Sequence, residues 1–210
     1  MKNVILIAPP AAGKGTLAQL LCDRLGYIQL STGDMLREKA KTDQEISDML
    51  KTGKLLSDEL VFSILEEKLA TLNDEVYILD GFPRTVEQAK MYKELLMKLN
   101  KEVGIVIYLD VDKEELKQRI ITRLICPNCK KPYSTRNPEL IPQKEGICDT
   151  CQVELYQRSD DTEEVFEQRY EEYLNKTQPL LDYYEQEGIV KRVDTVQVED
   201  TYKKVLTMIK

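Results

Sequence analysis

Two groups of residues in this 210-residue chain have the types and spacing for chemistry. The first is Ala8-Pro-Pro-Ala11-Ala12-Gly13-Lys14-Gly15-Thr16, small residues around a lysine and a hydroxyl. A phosphate chain needs converging backbone N–H groups, a helix N-terminus behind them and a cation that reaches its terminal oxygens. Gly13, Lys14 and Thr16 supply these. The segment departs from the G-x-x-x-x-G-K-[ST] pattern twice: Ala8 stands at the first glycine, and Gly15 separates Lys14 from Thr16. The plain alternative is a turn that only joins a strand to a helix. The second group is Cys126-Pro-Asn-Cys129 and, after 18 residues, Cys148-Asp-Thr-Cys151. Two such knuckles bring four thiolates to one tetrahedral Zn²⁺ and leave no open position for a substrate water, so the metal is structural. A pair of disulfides is the alternative, disfavoured in a cytosolic chain. The fifth cysteine, Cys22, lies among Leu20, Leu21 and Leu25 and belongs to packing.

Two further positions carry polar groups where a ligand would meet them. Asp80 ends the apolar run Val76-Tyr-Ile-Leu, the place of a carboxylate that orients Mg²⁺ or its waters, unless it merely caps the next turn. Thr85-x-x-Gln88 is a capping box, which gives the Gln88 amide a local partner.

Composition removes several classes of function. There is no histidine, so no imidazole base and no imidazole metal ligand. Acidic residues outnumber basic ones, 37 to 30, for a net charge of -7, which disfavours general nucleic-acid coating. The zinc module, with four basic and three acidic residues between Cys126 and Cys151 and about -2 from the zinc–thiolate centre, is a poor binder of phosphate backbone. The run Val4 to Ala8 is too short for a signal-peptide core, and no stretch approaches the ~18 apolar residues of a membrane span. A soluble, cytoplasmic protein without a membrane partner is the expectation.

The elements that must position these groups follow from periodicity. Strands are expected at Asn3 to Ala8, Tyr27 to Leu30, Val76 to Asp80, Gly104 to Asp110 and Ile189 to Val193. Between them lie helical patterns at Lys14 to Leu25, closed by Gly26, and at Ser57 to Leu72. Near-continuous apolar strands alternating with helices imply an α/β fold with a five-stranded parallel sheet covered on both faces and a ligand beyond its carboxyl ends. Asp161-x-x-Glu164 has the form of a capping box, and Pro179 divides Thr162 to Glu187 into two helices. Cys126 to about Tyr156, with four cysteines, four prolines and no helical periodicity, is an inserted module.

Ser31-Thr32-Gly33-Asp34-Met35-Leu36-Arg37 and Asp80-Gly81-Phe82-Pro83-Arg84-Thr85-x-x-Gln88, following the Lys14 loop, make the chain resemble the adenylate kinases over essentially its whole length. The resemblance implies the P-loop nucleoside monophosphate kinase fold with a zinc-ribbon-like lid, and transfer of a phosphoryl group from Mg-ATP to AMP, giving two ADP. It implies a core at residues 1–30, 61–122 and 161–210, an AMP-binding segment at 31–60 and a zinc lid at 123–160. Ala11, Ala12, Gly13, Lys14, Gly15, Thr16, Arg119 and Arg123 would hold ATP. Thr32, Arg37, Gly81, Arg84, Gln88, Arg158 and Arg169 would hold AMP, with Lys14, Arg84, Arg123, Arg158 and Arg169 serving transfer. Asp34 joins Asp80 at the magnesium. A monomer is the family expectation.

Only nine of the 30 basic residues are arginines, and six fall on these positions, where a planar fork can bind phosphate bidentately. Two departures leave a catalytically weakened nucleotide-binding protein as an alternative: Ala8 and Ala11 replace glycines, and Val193-Asp194-Thr195 lacks the glycine that follows the aspartate. If Ala8 or Ala11 needs φ > 0, alanine costs about 1 kcal/mol. A kinase for another nucleoside monophosphate is the other alternative, although the Thr85 to Gln88 segment looks like the AMP type.

Overall fold

The computed structural model describes residues 1–51, 57–72, 75–194 and 197–210. Five short apolar strands form a parallel sheet: β1 (Val4–Ile7), β2 (Ile28–Ser31), β3 (Tyr77–Asp80), β4 (Ile105–Asp110) and, after two strands of the inserted module, β7 (Val190–Asp194). Their order is β2-β3-β1-β4-β7, and every neighbouring pair is parallel, with Val4 opposite both Ile78 and Ile105. Side-chain alternation sends Val4 and Leu6 to one face, with Ile107 and Leu109, and Ile5 and Ile7 to the other, with Leu79 and Val106. A sheet apolar on both sides must be covered on both sides.

Helices α1 (Lys14–Leu25), α6 (Lys113–Ile121) and α9 (Val198–Ile209) cover the first face. The second is covered by α4 (Asp58–Ala70), α5 (Val86–Lys98) and α8 (Gln178–Gln186). The shorter α2 (Thr32–Lys39) and α3 (Gln44–Lys51) lie between β2 and α4, where Leu36, Ile46 and Ile64 make a small separate cluster. The inserted module carries an antiparallel pair, β5 (Arg123–Ile125) and β6 (Pro132–Ser134), and a 3-10 turn at Pro138–Leu140.

Helix ends follow local chemistry. Ser57 and Thr85 cap α4 and α5 with their hydroxyls, and Gly26 closes α1 with φ 73. The expected box at Asp161 is corrected. Thr162 caps α7 (Glu163–Glu172) by accepting from Val165 N–H, because the Asp161 carboxylate is buried against Arg123 and has no freedom to turn back. Pro179 stands in the first turn of α8, as expected, but no gap precedes it: a π turn at Tyr173–Thr177 joins α7 to α8. Among the described residues no helix is long and apolar enough to cross a membrane.

Candidate functional site

The carboxyl ends of β1, β2 and β3 open into a cavity of about 530 Å³, with the inserted module as its opposite wall. Its floor is the loop from Ala8 to Gly13. Gly13 precedes α1 with φ 93, a conformation that glycine takes without strain. Ala11 has φ 63, whereas Ala8 is not among the positive-φ residues, so only one of the two alanine replacements carries backbone strain. The Lys14 ammonium donates to the carbonyls of Ala8 (2.9 Å) and Pro9 (3.1 Å), which leaves one of its three N–H donors for the cavity. Desolvation in this cleft lowers its pKa to about 8, and the charges of Arg84 and Arg123 add to that while Asp80 opposes it.

Asp80 ends β3 beside the loop, and Oδ2 accepts from Gln29 Nε2 at 3.1 Å. Gly81 follows with φ 85, and a Cβ there would stand 2.9 Å from Thr32 Oγ1, so the turn needs glycine for both backbone and space. Arg84 is open to the cavity, with Nε donating to the Gly81 carbonyl at 2.8 Å. Desolvation in the cleft lowers its pKa, with the charges of Arg169 and Arg37 adding to this and Asp80 and Glu172 opposing it. The Gln88 backbone N–H donates to the Thr85 hydroxyl, its side-chain Oε1 accepts from Arg84 N–H at 2.7 Å, and Nε2 gives one of its two hydrogens to Asp58 Oδ1 at 2.5 Å. Arg37 in α2 reaches Asp34 Oδ1 at 2.5 Å. Burial pushes the Asp34 carboxyl upward, but the Arg37 hydrogen bond and charge outweigh this and hold it below its usual range.

The remaining cations come from α6, from the inserted module and from α7. Arg119 in α6 donates to Glu115 at 2.9 Å. Arg123 opens β5 and is held bidentately by Asp161, whose side chain is wholly buried. Arg169 in α7 pairs with Asp160 at 2.6 Å. Arg158 has no ion-pair partner among the described residues, and burial beside Arg123 and Arg37 lowers its pKa. A site that keeps so many guanidinium groups close together is built for an anion of high charge.

Every nucleotide-site residue expected from the sequence lines this one cavity, from Ala11 to Thr16 through Thr32, Asp34, Arg37, Asp80, Gly81, Arg84 and Gln88 to Arg119, Arg123, Arg158 and Arg169. Sequence reasoning missed Asp160 and Asp161. Their signal was adjacency to Arg158, and a capping pattern obscured it. Glu172 at the end of α7 and Tyr173, Lys176 and Thr177 in the π turn also line the cavity, and no periodicity announces that turn. Of the Val193-Asp194-Thr195 departure, Thr195 lies outside the described residues, as do residues 52–56 of the expected AMP-binding segment.

The four knuckle cysteines stand apart from the cavity, their sulfurs all within 4.8 Å of one another. Cys129 and Cys148 Sγ are 3.7 Å apart, too far for a disulfide bond, and all five cysteines are free thiols. The Tyr133 hydroxyl accepts from Asp149 N–H (2.9 Å) and faces Cys148 Sγ (3.4 Å). Burial would raise the Cys148 pKa, but this hydroxyl and the N–H groups of Cys151 and Thr150 bring it down to about 6. The cluster can hold a metal ion.

The sequence model of a family described as adenylate kinase matches residues 6–189. The chain is 41% identical over 214 residues to an adenylate kinase of Thermosipho melanesiensis, with 99% of each chain covered. It is 38% identical over 216 residues to one from Thermotoga petrophila, with 100% of this chain and 97% of the relative covered. To one from Archaeoglobus fulgidus it is 42% identical over 209 residues, at 97% and 95% coverage.

Proposed function

The chain belongs to the adenylate kinase family, and from that premise we propose how its own residues divide the transfer of a phosphoryl group from ATP to AMP, giving two ADP. The observation that carries the reading is the cation-lined cavity at the carboxyl end of the sheet, with Lys14 at its floor.

Lys14 and the N–H groups of Ala11 to Thr16 hold the ATP phosphates at the start of α1, with Arg119 from α6 and Arg123 from the module. Arg37, Arg84, Arg158 and Arg169 hold the AMP phosphate and the group in transit. Thr32 and Gln88 face the AMP base, Gln88 with the Nε2 hydrogen not given to Asp58, and Gly81 belongs to the same AMP site. An oxygen of the AMP phosphate attacks the terminal phosphorus of ATP in line. The bond to the bridging oxygen breaks, and ADP leaves with that electron pair. The chemistry asks mainly for positioning and for neutralising charge on the equatorial oxygens, which suits a site of guanidinium groups without histidine. Mg²⁺ enters with ATP and supplies charge neutralisation, with Asp80 and Asp34 as the carboxylates that would orient it. Asp34 has first to share itself with Arg37.

Zinc is the metal we assign to Cys126, Cys129, Cys148 and Cys151. Four sulfurs about 2.3 Å from a tetrahedral ion lie about 3.8 Å apart, close to the 3.7 Å between Cys129 and Cys148. The segment 123–160 acts as a lid and 31–60 as the AMP-side flap, both closing on the core to exclude water. A cytoplasmic monomer without nucleic-acid or membrane partners completes the reading.

One observation favours a weaker enzyme: Ala11 holds a left-handed conformation in the phosphate loop. The test is ADP formation from Mg-ATP with AMP, CMP, UMP and GMP in turn. Turnover confined to AMP is expected. Turnover with a pyrimidine acceptor reassigns Thr32 and Gln88, and none with any acceptor in folded, metal-loaded protein leaves a binding protein.

A further inference from the structure

The zinc-bearing module touches the rest of the chain in two places of different kind. At its root it is tied to α6 by Arg136 Nη1 to Gln118 Oε1 (2.6 Å) and Thr122 Oγ1 to Ser134 Oγ (3.2 Å). Across the cavity, 59 residues away in sequence, Glu139 Oε2 accepts from Val198 N–H at 2.8 Å. Val198 is the first residue of α9. The residue before it, Gln197, makes no side-chain cap, so that end of the helix lacks a local acceptor for its free N–H groups. The two acids of its first turn are turned elsewhere, Glu199 to Arg24 at 2.8 and 2.9 Å and Asp200 towards Lys203 at 3.9 Å.

Glu139 is also presented rigidly. Ser134 Oγ accepts from the N–H groups of Arg136 and Asn137, and Asn137 Oδ1 caps the 3-10 turn by accepting from Glu139 N–H at 3.0 Å. Asn137 and Leu140 on one side and Gln197, Val198 and Thr201 on the other line the same cavity, so this contact bridges its rim.

We propose that Glu139 is a positioning residue for the donor nucleotide: a carboxylate in the module that caps α9 and holds the two lips of the cavity together on the side where ATP enters. This rests on the reading of 123–160 as a lid over ATP. Glu139 is exposed, and an exposed charge at a helix N-terminus contributes a small, salt-sensitive amount. A latch that must open in every cycle needs that weakness. Removing it shifts the closed-to-open ratio by about 2–5-fold.

The test compares full-length, zinc-loaded wild type with Glu139→Gln, Glu139→Ala and Glu139→Lys, and has two readouts. The first is hydrogen exchange at the Val198 amide without nucleotide, expected to speed up about 2–5-fold in Glu139→Ala and more in Glu139→Lys, with Glu139→Gln between Ala and wild type. The second is steady-state kinetics, expected to show the ATP KM raised by the same factor with the AMP KM unchanged and kcat not lowered. Exchange at Val198 that ignores Glu139→Lys overturns the proposal, because the contact then does not form in solution. A lowered Tm with an unmoved ATP KM also overturns it and reduces Glu139 to a helix cap. Absence of transfer in the wild type defeats the kinase reading instead, and amide exchange still decides the latch.

Discussion

Lys14 and Arg84 stand on elements packed into two apolar layers, one on each face of the parallel sheet. Arg123 stands on a two-stranded hairpin whose apolar cluster holds three buried residues, Cys126, Tyr133 and Cys148, two of them from the four-cysteine cluster that can hold a metal ion. The core therefore fixes its cations by apolar packing beneath them and by backbone carbonyls, to which Lys14 and Arg84 donate. The module buries too little to do so; Asp161 ties Arg123 to the start of α7, and on the reading proposed above a metal at the four cysteines supplies the rest. Side chains on the first support should keep their positions under conditions that melt the second. The difference also suits a lid, because a part that moves cannot share the core's packing.

Four changes break or sharpen this contrast, taken from the largest effect down. Cys148→Ser removes one of four thiolates and should cost about 3–5 kcal/mol of the module's stability, roughly 10 °C in Tm for a chain of this size. Turnover at low temperature should change less, and an unshifted melt with zinc still bound contradicts the structural role. Asp161→Asn leaves Arg123 without its buried countercharge and should cost about 3 kcal/mol in a denaturant melt. A loss under 0.5 kcal/mol would show that the junction is not held this way.

The third change is pH. With the Lys14 pKa at about 8 in the free protein, kcat/KM for ATP should fall about tenfold between pH 7 and pH 9 as the ammonium is lost. Stability from the same group runs the other way. The unfolded lysine, at 10.5, binds its proton more tightly, so this group's contribution to stability rises from pH 8 towards 10.5. A flat kcat/KM profile would show that Lys14 keeps its charge. The smallest change is Ala11→Gly, which relieves a left-handed alanine and should add about 1 kcal/mol. Ala8→Gly, where no such strain exists, should add nothing, and equal gains would refute the assignment.

Much of this was legible in the sequence because the core's signals are local. Apolar runs ended by turn residues gave five strands to within one residue at each end, and Lys14 to Leu25 matched α1 because Gly13 and Gly26 bracket it. The cysteine spacing likewise announced a cluster whose sulfurs converge. What escaped reading was decided by partners distant in sequence. Asp161 has the spacing of a cap, yet its carboxylate answers Arg123, 38 residues away. Gln88 has two roles in one amide, and the cap that sequence suggested is present alongside a hydrogen bond to Asp58 that nothing local signals. The π turn after α7 has no periodicity of its own to betray it.

The claim that the core carries the chemistry is tested most directly by ADP formation from Mg-ATP and AMP in Lys14→Met, measured beside its melting curve. The account predicts a loss of about 10²–10³-fold or more in kcat, the order expected for removing a transition-state cation from a dry site, with Tm within about 1–2 °C of wild type. Near wild-type turnover in a folded Lys14→Met protein would contradict it.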